Sequence, residues 1–222
     1  MCIRDRDVYL SLEKLHRSSF NVVSKENVKQ DLQYEMVEKL LQRKREVEDI
    51  LQPYSFLTSV NGMHLESFET LLQFFLESID NFLESKNSFA YRPIHGDCQF
   101  NNILVSPDCN KLLFIDPRAC FGKVQLYGLE EYDYAKVLFA LSGYDTFDSA
   151  IIENLCIEET NLILPKIELE HPPLISDPFV AILTASIWLG NAHCFKRTPL
   201  KAVTSYYYGL YYATRVFRQV RS

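Results

Sequence analysis

One stretch constrains this chain more than any other feature: His95-Gly96-Asp97, then Asn102, then Asp116 closing the apolar run Leu112-Leu113-Phe114-Ile115. Ile103-Leu104-Val105 and Leu112–Ile115 are short apolar runs on either side of Ser106-Pro107-Asp108-Cys109-Asn110, a turn-rich segment. That pattern predicts a β-hairpin, with a polar loop leading into it and Asp116 at the end of its second strand. Three oxygen-bearing acceptors, Asp97, Asn102 and Asp116, therefore fall within twenty residues.

Elsewhere the periodicity is helical. Residues 8–19 read as a short amphipathic helix with Tyr9, Leu12 and Leu15 on one side. Residues 30–51 read as one long helix carrying Leu32, Met36, Leu40, Val47 and Leu51, closed by Pro53. A second long helix is expected over about 65–84, apolar on more than one face and so buried in the middle of the fold. From about 131 onward helices are expected near 131–142, 147–164, 177–192 and 199–219, with His171-Pro172-Pro173 separating two of them.

Composition narrows the function classes. The net charge of −6 gives no electrostatic footprint for nucleic acid. Six cysteines without a Cys-x-x-Cys pair or zinc-like spacing to histidine imply thiols in a reducing compartment, cytoplasmic by default. No run approaches the roughly 18 uninterrupted apolar residues of a membrane span, and Met1 to Arg6 lacks the apolar core of a signal peptide.

The acceptor set suits phosphoryl transfer from ATP. One carboxylate orients the attacking hydroxyl, and an amide and a second carboxylate hold Mg²⁺ on the phosphates. The Asp-x-x-x-x-Asn spacing from Asp97 to Asn102 is that of the catalytic loop of protein kinases. Taken alone, His-Gly-Asp is a loop turn with a capping carboxylate; the full constellation asks for more.

Segment 95–122, HGDCQFNNILVSPDCNKLLFIDPRACFG, resembles the core of the aminoglycoside phosphotransferase and choline kinase superfamily, and Tyr132-Asp133-Tyr134-Ala135 is similar to its Tyr-Asp-x-Ala segment. The resemblance covers about 90–145 strongly and the flanking helices in outline. It implies an α+β fold: the mostly helical C-terminal lobe of a protein-kinase-like small-molecule kinase, with a β-hairpin around the catalytic and metal-binding loops. It implies that Asp97 is the catalytic carboxylate, that Asn102 and Asp116 bind Mg²⁺, and that His95 braces the loop at a nucleotide site. Gly96 would permit the tight turn and Asp133 would anchor the loop from a neighbouring helix. The family's glycine before the metal Asn is Asn101 here, a residue that tolerates left-handed angles. Arg118 would contact phosphate or acceptor, or pair with Glu130 or Glu131, the pairing being preferred.

A kinase of this type also needs a glycine-containing loop over the ATP phosphates and a strand lysine. The first glycine here is Gly62, and Lys14, Lys25 and Lys29 sit in helical or polar context. The sequence therefore reads as residues 1–7, a non-native start, followed by a catalytic lobe over 8–222 whose nucleotide lobe is largely absent, a fragment inactive alone. The expected partners are ATP, Mg²⁺ and a small hydroxyl compound (a sugar, amino alcohol or aminoglycoside-like molecule), without nucleic acid or membrane. The competing readings are a non-catalytic, kinase-derived binding module and a Mg²⁺-dependent phosphohydrolase. The C-terminal tyrosines Tyr206-Tyr207-Tyr208 and Tyr211-Tyr212 suggest a cage for a quaternary ammonium, but helical spacing favours packing. Asp145 and Asp148 could line an acceptor pocket, with solvated loop charges preferred.

Overall fold

The computed structural model describes residues 5–108, 111–165 and 177–222. The chain is α+β, with helices predominating over small sheets.

Helix α1 (Asp5–His16) sets Val8, Tyr9 and Leu12 against Cys98, Ile103 and Val137, a small core directly beneath the His95–Asn102 loop. Strand β1 (Asn21–Val23) follows. Helix α2 (Lys25–Gln33) starts where Ser24 Oγ accepts the Asn27 N–H at 3.1 Å. It then passes through a π-helical turn, Tyr34–Glu38, into α3 (Lys39–Arg45). Val47, at φ −121° and ψ 9°, ends the run before α4 (Glu48–Leu51). The single helix expected over 30–51 is thus three pieces with an earlier start. The π turn, a one-residue widening common at functional positions, accompanies an inward-turned Glu35. Its carboxylate accepts from Gly122 N and the Tyr132 hydroxyl, both at 3.2 Å.

Strands β2 (Ser59–Val60) and β3 (Met63–His64) lead to α5 (Phe68–Ser85), capped by Ser67 Oγ on the Thr70 N–H at 3.0 Å. Phe68, Leu71, Phe74, Phe75, Ile79, Phe82 and Leu83 are buried, while Glu69, Gln73, Glu77, Asp80 and Glu84 face outward. The helix therefore buries one face, not several. Each such large side chain contributes about 1.5–3 kcal/mol.

Strand β4 (Phe89–Pro93) pairs with β1, and its last residues with β9 (Tyr127–Gly128). The chain between them holds the predicted hairpin. Strands β5 (Ile103–Val105) and β6 (Leu112–Phe114) pair antiparallel with Ile103 opposite Phe114. A second small hairpin joins β7 (Cys120–Phe121) to β8 (Val124–Gln125).

Helix α6 (Glu130–Phe139) runs on into a turn over Ala140–Tyr144 that kinks at Gly143 (φ +101°, ψ 9°) before α7 (Asp145–Ser149). The helix expected over 147–164 does not form. After Ser149 the chain leaves helical angles at Ala150 (ψ 139°), then makes β10 (Cys156–Glu158) and β11 (Asn161–Ile163). Strand β11 runs parallel to β2 and buries Leu162 completely. Of the β-branched residues here, Ile157 and Ile163 lie in the paired strands, and Ile151, Ile152 and Thr160 beside them lower the helix propensity of the segment. The His171-Pro172-Pro173 loop lies outside the described residues.

Helix α8 (Pro178–Leu189) is capped by Asp177 and apolar nearly all round. The stretch Pro178–Phe195 is long and apolar enough to cross a membrane by length and composition, and 72% of it is buried within the fold. It packs on α9 (Pro199–Arg221), where a Cβ on Gly209 would stand 2.6 Å from Leu189 Cα. Trp188, on α8, is 1% exposed, and its Nε1–H donates to Ser142 Oγ at 2.7 Å. The tyrosines of α9 belong to this core. Tyr206, Tyr207, Tyr208 and Tyr212 are buried, and Tyr207 and Tyr208 donate to the carbonyls of Tyr54 and Pro165. They pack in the core, as the helical spacing indicated.

Candidate functional site

The His95–Asp97 loop leaves β4 and is fixed from below by one carboxylate. Asp133, on α6 and fully buried, accepts from His95 N at 2.9 Å, Gly96 N at 2.7 Å and His16 Nε2 at 3.0 Å. These donors account for a buried carboxylate, which would otherwise be strongly disfavoured. Gly96 has φ +79°, and a Cβ there would lie 3.0 Å from Ala119 N, so both the backbone angle and the space call for glycine. His95 accepts from Asp97 N at Nδ1 (3.3 Å) and donates from Nε2 to Ile115 O at 3.0 Å. Those partners fix the tautomer protonated on Nε2. The ring thereby ties the loop to the chain emerging from β6.

Asp97, with its side chain 11% exposed, lies above this base. Lys136 Nζ reaches Oδ1 at 3.2 Å, Arg118 Nε lies 3.5 Å from Oδ2, and Asn102 Nδ2 donates to Oδ2 at 3.3 Å and to the Asp97 carbonyl at 2.9 Å. Arg118 therefore pairs with Asp97, not with Glu130 or Glu131. Those carboxylates are already taken: Arg92 and His16 approach Glu130, and Lys86 pairs with Glu131. Arg118 is also 58% exposed, whereas Lys136 is 10% exposed. Burial lowers the Lys136 ammonium's pKa, opposed by Asp97 and reinforced by Arg118.

Asn102 ends a 3₁₀ turn, Phe100–Asn102, and its carbonyl accepts the Ile115 N–H at 2.9 Å. That bond extends the hairpin ladder and sets Asn102 and the residues after β6 at one end of it. Asp116 follows two residues past the strand, exposed, at φ +54°. Asn101 does not take the left-handed angle it would tolerate; within the described part of 95–122 the non-glycine residues that do are Asp116 and Ala119. Because the Asn102 amide nitrogen is committed to Asp97, its amide oxygen and the Asp116 carboxylate are the atoms available to a cation. Two hard oxygen donors fit Mg²⁺, which keeps waters and phosphate oxygens for the rest of its octahedron. Among the described residues no three His, Cys, Asp or Glu side chains converge as a metal cluster.

Two residues of the site were not singled out in sequence. Lys136 follows Asp133 by three positions, and that spacing on a helix, which puts both under the same loop, was the available signal. His16 lies 117 residues from Asp133, and nothing local announces it. Cys98 is fully buried, and burial and nearby Asp133 push its thiol well up, so it is no accessible nucleophile.

Asp145 is less solvated than expected. Both carboxylate oxygens are occluded, facing the backbone N–H groups of Phe100 and Asn101 without a well-formed hydrogen bond. Burial raises its pKa to about 6 from 3.8. The folded state thus holds this proton more tightly than the unfolded chain, so stability falls as pH rises from about 4 to 6 and stays lower above. Asp145→Asn is expected to raise stability by about 1–2 kcal/mol at pH 7.5, after solvent screening. The gain should vanish near pH 4, as checked by thermal melts at both values.

Comparison with family models, curated proteins and solved structures found no match for this chain.

Proposed function

We propose that this chain is the catalytic lobe of an ATP-dependent phosphotransferase with a protein-kinase-like fold, acting on the hydroxyl of a small molecule. The observation that carries the reading is the position of Asp97. It stands on a loop locked by Asp133, five residues before an asparagine bonded to it, with Asp116 at the same end of the hairpin. Asp97 would accept the hydrogen bond of the acceptor hydroxyl and take its proton, a role that demands placement more than basicity. Lys136 would hold Asp97 in place, and the exposed Arg118 is free to turn toward phosphate. Asn102 and Asp116 would hold Mg²⁺, which when bound offsets phosphate charge. Leu104 and Leu113, cross-strand partners 51% and 61% exposed, offer an apolar surface on the same hairpin against which a purine can pack.

The test is calorimetric titration of ATP, with and without Mg²⁺, into the protein joined to its nucleotide lobe. Magnesium should tighten binding, and Asp116→Ala should remove that gain, roughly ten- to a hundred-fold. Binding of equal strength without Mg²⁺, or an unaltered Asp116→Ala, would sink the metal assignment and favour a non-catalytic binding module.

A further inference from the structure

We infer that the groove between α4, the start of α5 and α9 is a second binding site, suited to a small linear polyamine. The groove encloses about 900 Å³, within the range of about 300–1,000 Å³ usual for small-molecule sites. None of its lining residues belongs to the Asp97 site, so its occupancy is independent of phosphate transfer. Its floor is apolar: Leu51, Leu57, Leu65, Phe68 and Leu210 are all buried. Its rim carries carboxylates from two elements. Glu48 and Asp49 open α4, and Glu66 and Glu69 lie on either side of Ser67, the cap of α5. Glu66 pairs with Arg218 at 3.4 Å, whereas Glu48, Asp49 and Glu69 form no ion pair among the described residues. Against these four carboxylates the lining offers one ammonium, Lys44, which sits over the Phe68 ring at 4.9 Å from its centroid. His64, also in the lining, adds charge only when protonated.

Carboxylates in the first turn of a helix are ordinary, because the N–H groups there favour negative charge. Tyr206 is what points to a ligand. It is 8% exposed and lines the groove, and its hydroxyl has no hydrogen-bond partner among the described residues. The hydroxyl of Tyr207 beside it, by contrast, donates to the Tyr54 carbonyl at 2.6 Å. Buried tyrosine hydroxyls find a partner, so that of Tyr206 must come from what fills the groove. Burial raises its pKa, with Tyr207, Glu69 and Glu48 adding to the effect, so the group stays a neutral hydroxyl. An ammonium can donate to that oxygen while the carboxylates supply the counter-charge. A bare metal ion does not fit, since among the described residues no three metal-ligating side chains converge. A linear polyamine suits both surfaces. Its ammonium groups would meet Glu48, Asp49 and Glu69 at the rim, and the methylenes between them would lie on the leucines and Phe68.

The probes are spermidine, 1,4-diaminobutane, magnesium chloride and tetralysine, titrated calorimetrically into the full chain. Spermidine should bind saturably, more tightly than diaminobutane, and should persist when magnesium supplies an equal concentration of charge. Tyr206→Phe keeps the ring and removes only the hydroxyl, so it should weaken spermidine about five-fold with the melting transition unchanged. Glu48→Gln combined with Glu69→Gln, both exposed positions, should weaken it about ten-fold. Asp97→Asn should leave spermidine affinity as it is; a loss there would make the amine a ligand of the Asp97 site and remove the second site. No saturable binding, displacement by an equal charge of magnesium, tighter binding of tetralysine than of spermidine, or a folded Tyr206→Phe protein with full affinity overturns the inference.

Discussion

Asp133→Ala is expected to destabilise the fold by about 3–5 kcal/mol, the cost of breaking a buried charged cluster by deleting one member. The carboxylate is the shared acceptor for His95 N, Gly96 N and His16 Nε2. Without it, two backbone N–H groups and an imidazole N–H are left in a site with no exposure at Asp133 and 1% at His16. Each unsatisfied donor costs about 1–3 kcal/mol. Asp133→Asn keeps one acceptor oxygen and the side-chain shape, so it should cost less, about half as much on the same reasoning. Urea unfolding followed by circular dichroism reads both. A loss under 1 kcal/mol for Asp133→Ala would mean that water or another acceptor takes over, and that the loop is not anchored by this helix. His16→Ala should lose only its own share, because the two backbone donors keep their acceptor.

How far the sequence foretold the molecule follows from the range of each interaction. The β5–β6 hairpin was legible because its signal is local: two apolar triplets around a Ser-Pro-Asp turn. The placement of Gly96, Asp97 and Asn102 on the loop before it was legible for the same reason. The π turn inside the helix expected over 30–51 was not, because what accompanies it is distant. The turn at Tyr34–Glu38 accompanies contacts from Asp31 and Glu35 to residues 122, 123 and 132. The 147–164 segment failed similarly, since its β11 strand is defined by pairing with β2 a hundred residues earlier. Arg118 was misassigned because the nearby glutamates looked free in sequence, whereas their partners arrive from α1, β4 and Lys86. Lys136 directly follows the Tyr132–Ala135 segment, but only the fold shows that its ammonium reaches Asp97.

If this lobe acts as proposed, Asp97→Asn in the protein joined to its nucleotide lobe is expected to lower phosphate transfer about 10²–10⁴-fold, the usual contribution of a positioned proton acceptor. An amide keeps the shape and one hydrogen-bond acceptor but cannot take the hydroxyl proton. It also leaves Lys136 without its counter-charge at a side chain 10% exposed, so the lysine's pKa should fall further. Two measurements separate chemistry from folding. MgATP affinity should change little, because in the proposed mechanism Asn102 and Asp116 would carry the metal role, and the thermal midpoint should drop only modestly. Lys136→Met then completes the comparison. If Lys136 only balances charge, the double variant Asp97→Asn with Lys136→Met should be more stable than Asp97→Asn alone, since the unpaired buried ammonium is gone. If it positions Asp97 for transfer, Lys136→Met alone should slow transfer with the nucleotide affinity intact and shift the pH profile of the rate. An Asp97→Asn protein that transfers phosphate at an undiminished rate would remove Asp97 from the chemistry, and the loop locked by Asp133 would then be a structural turn.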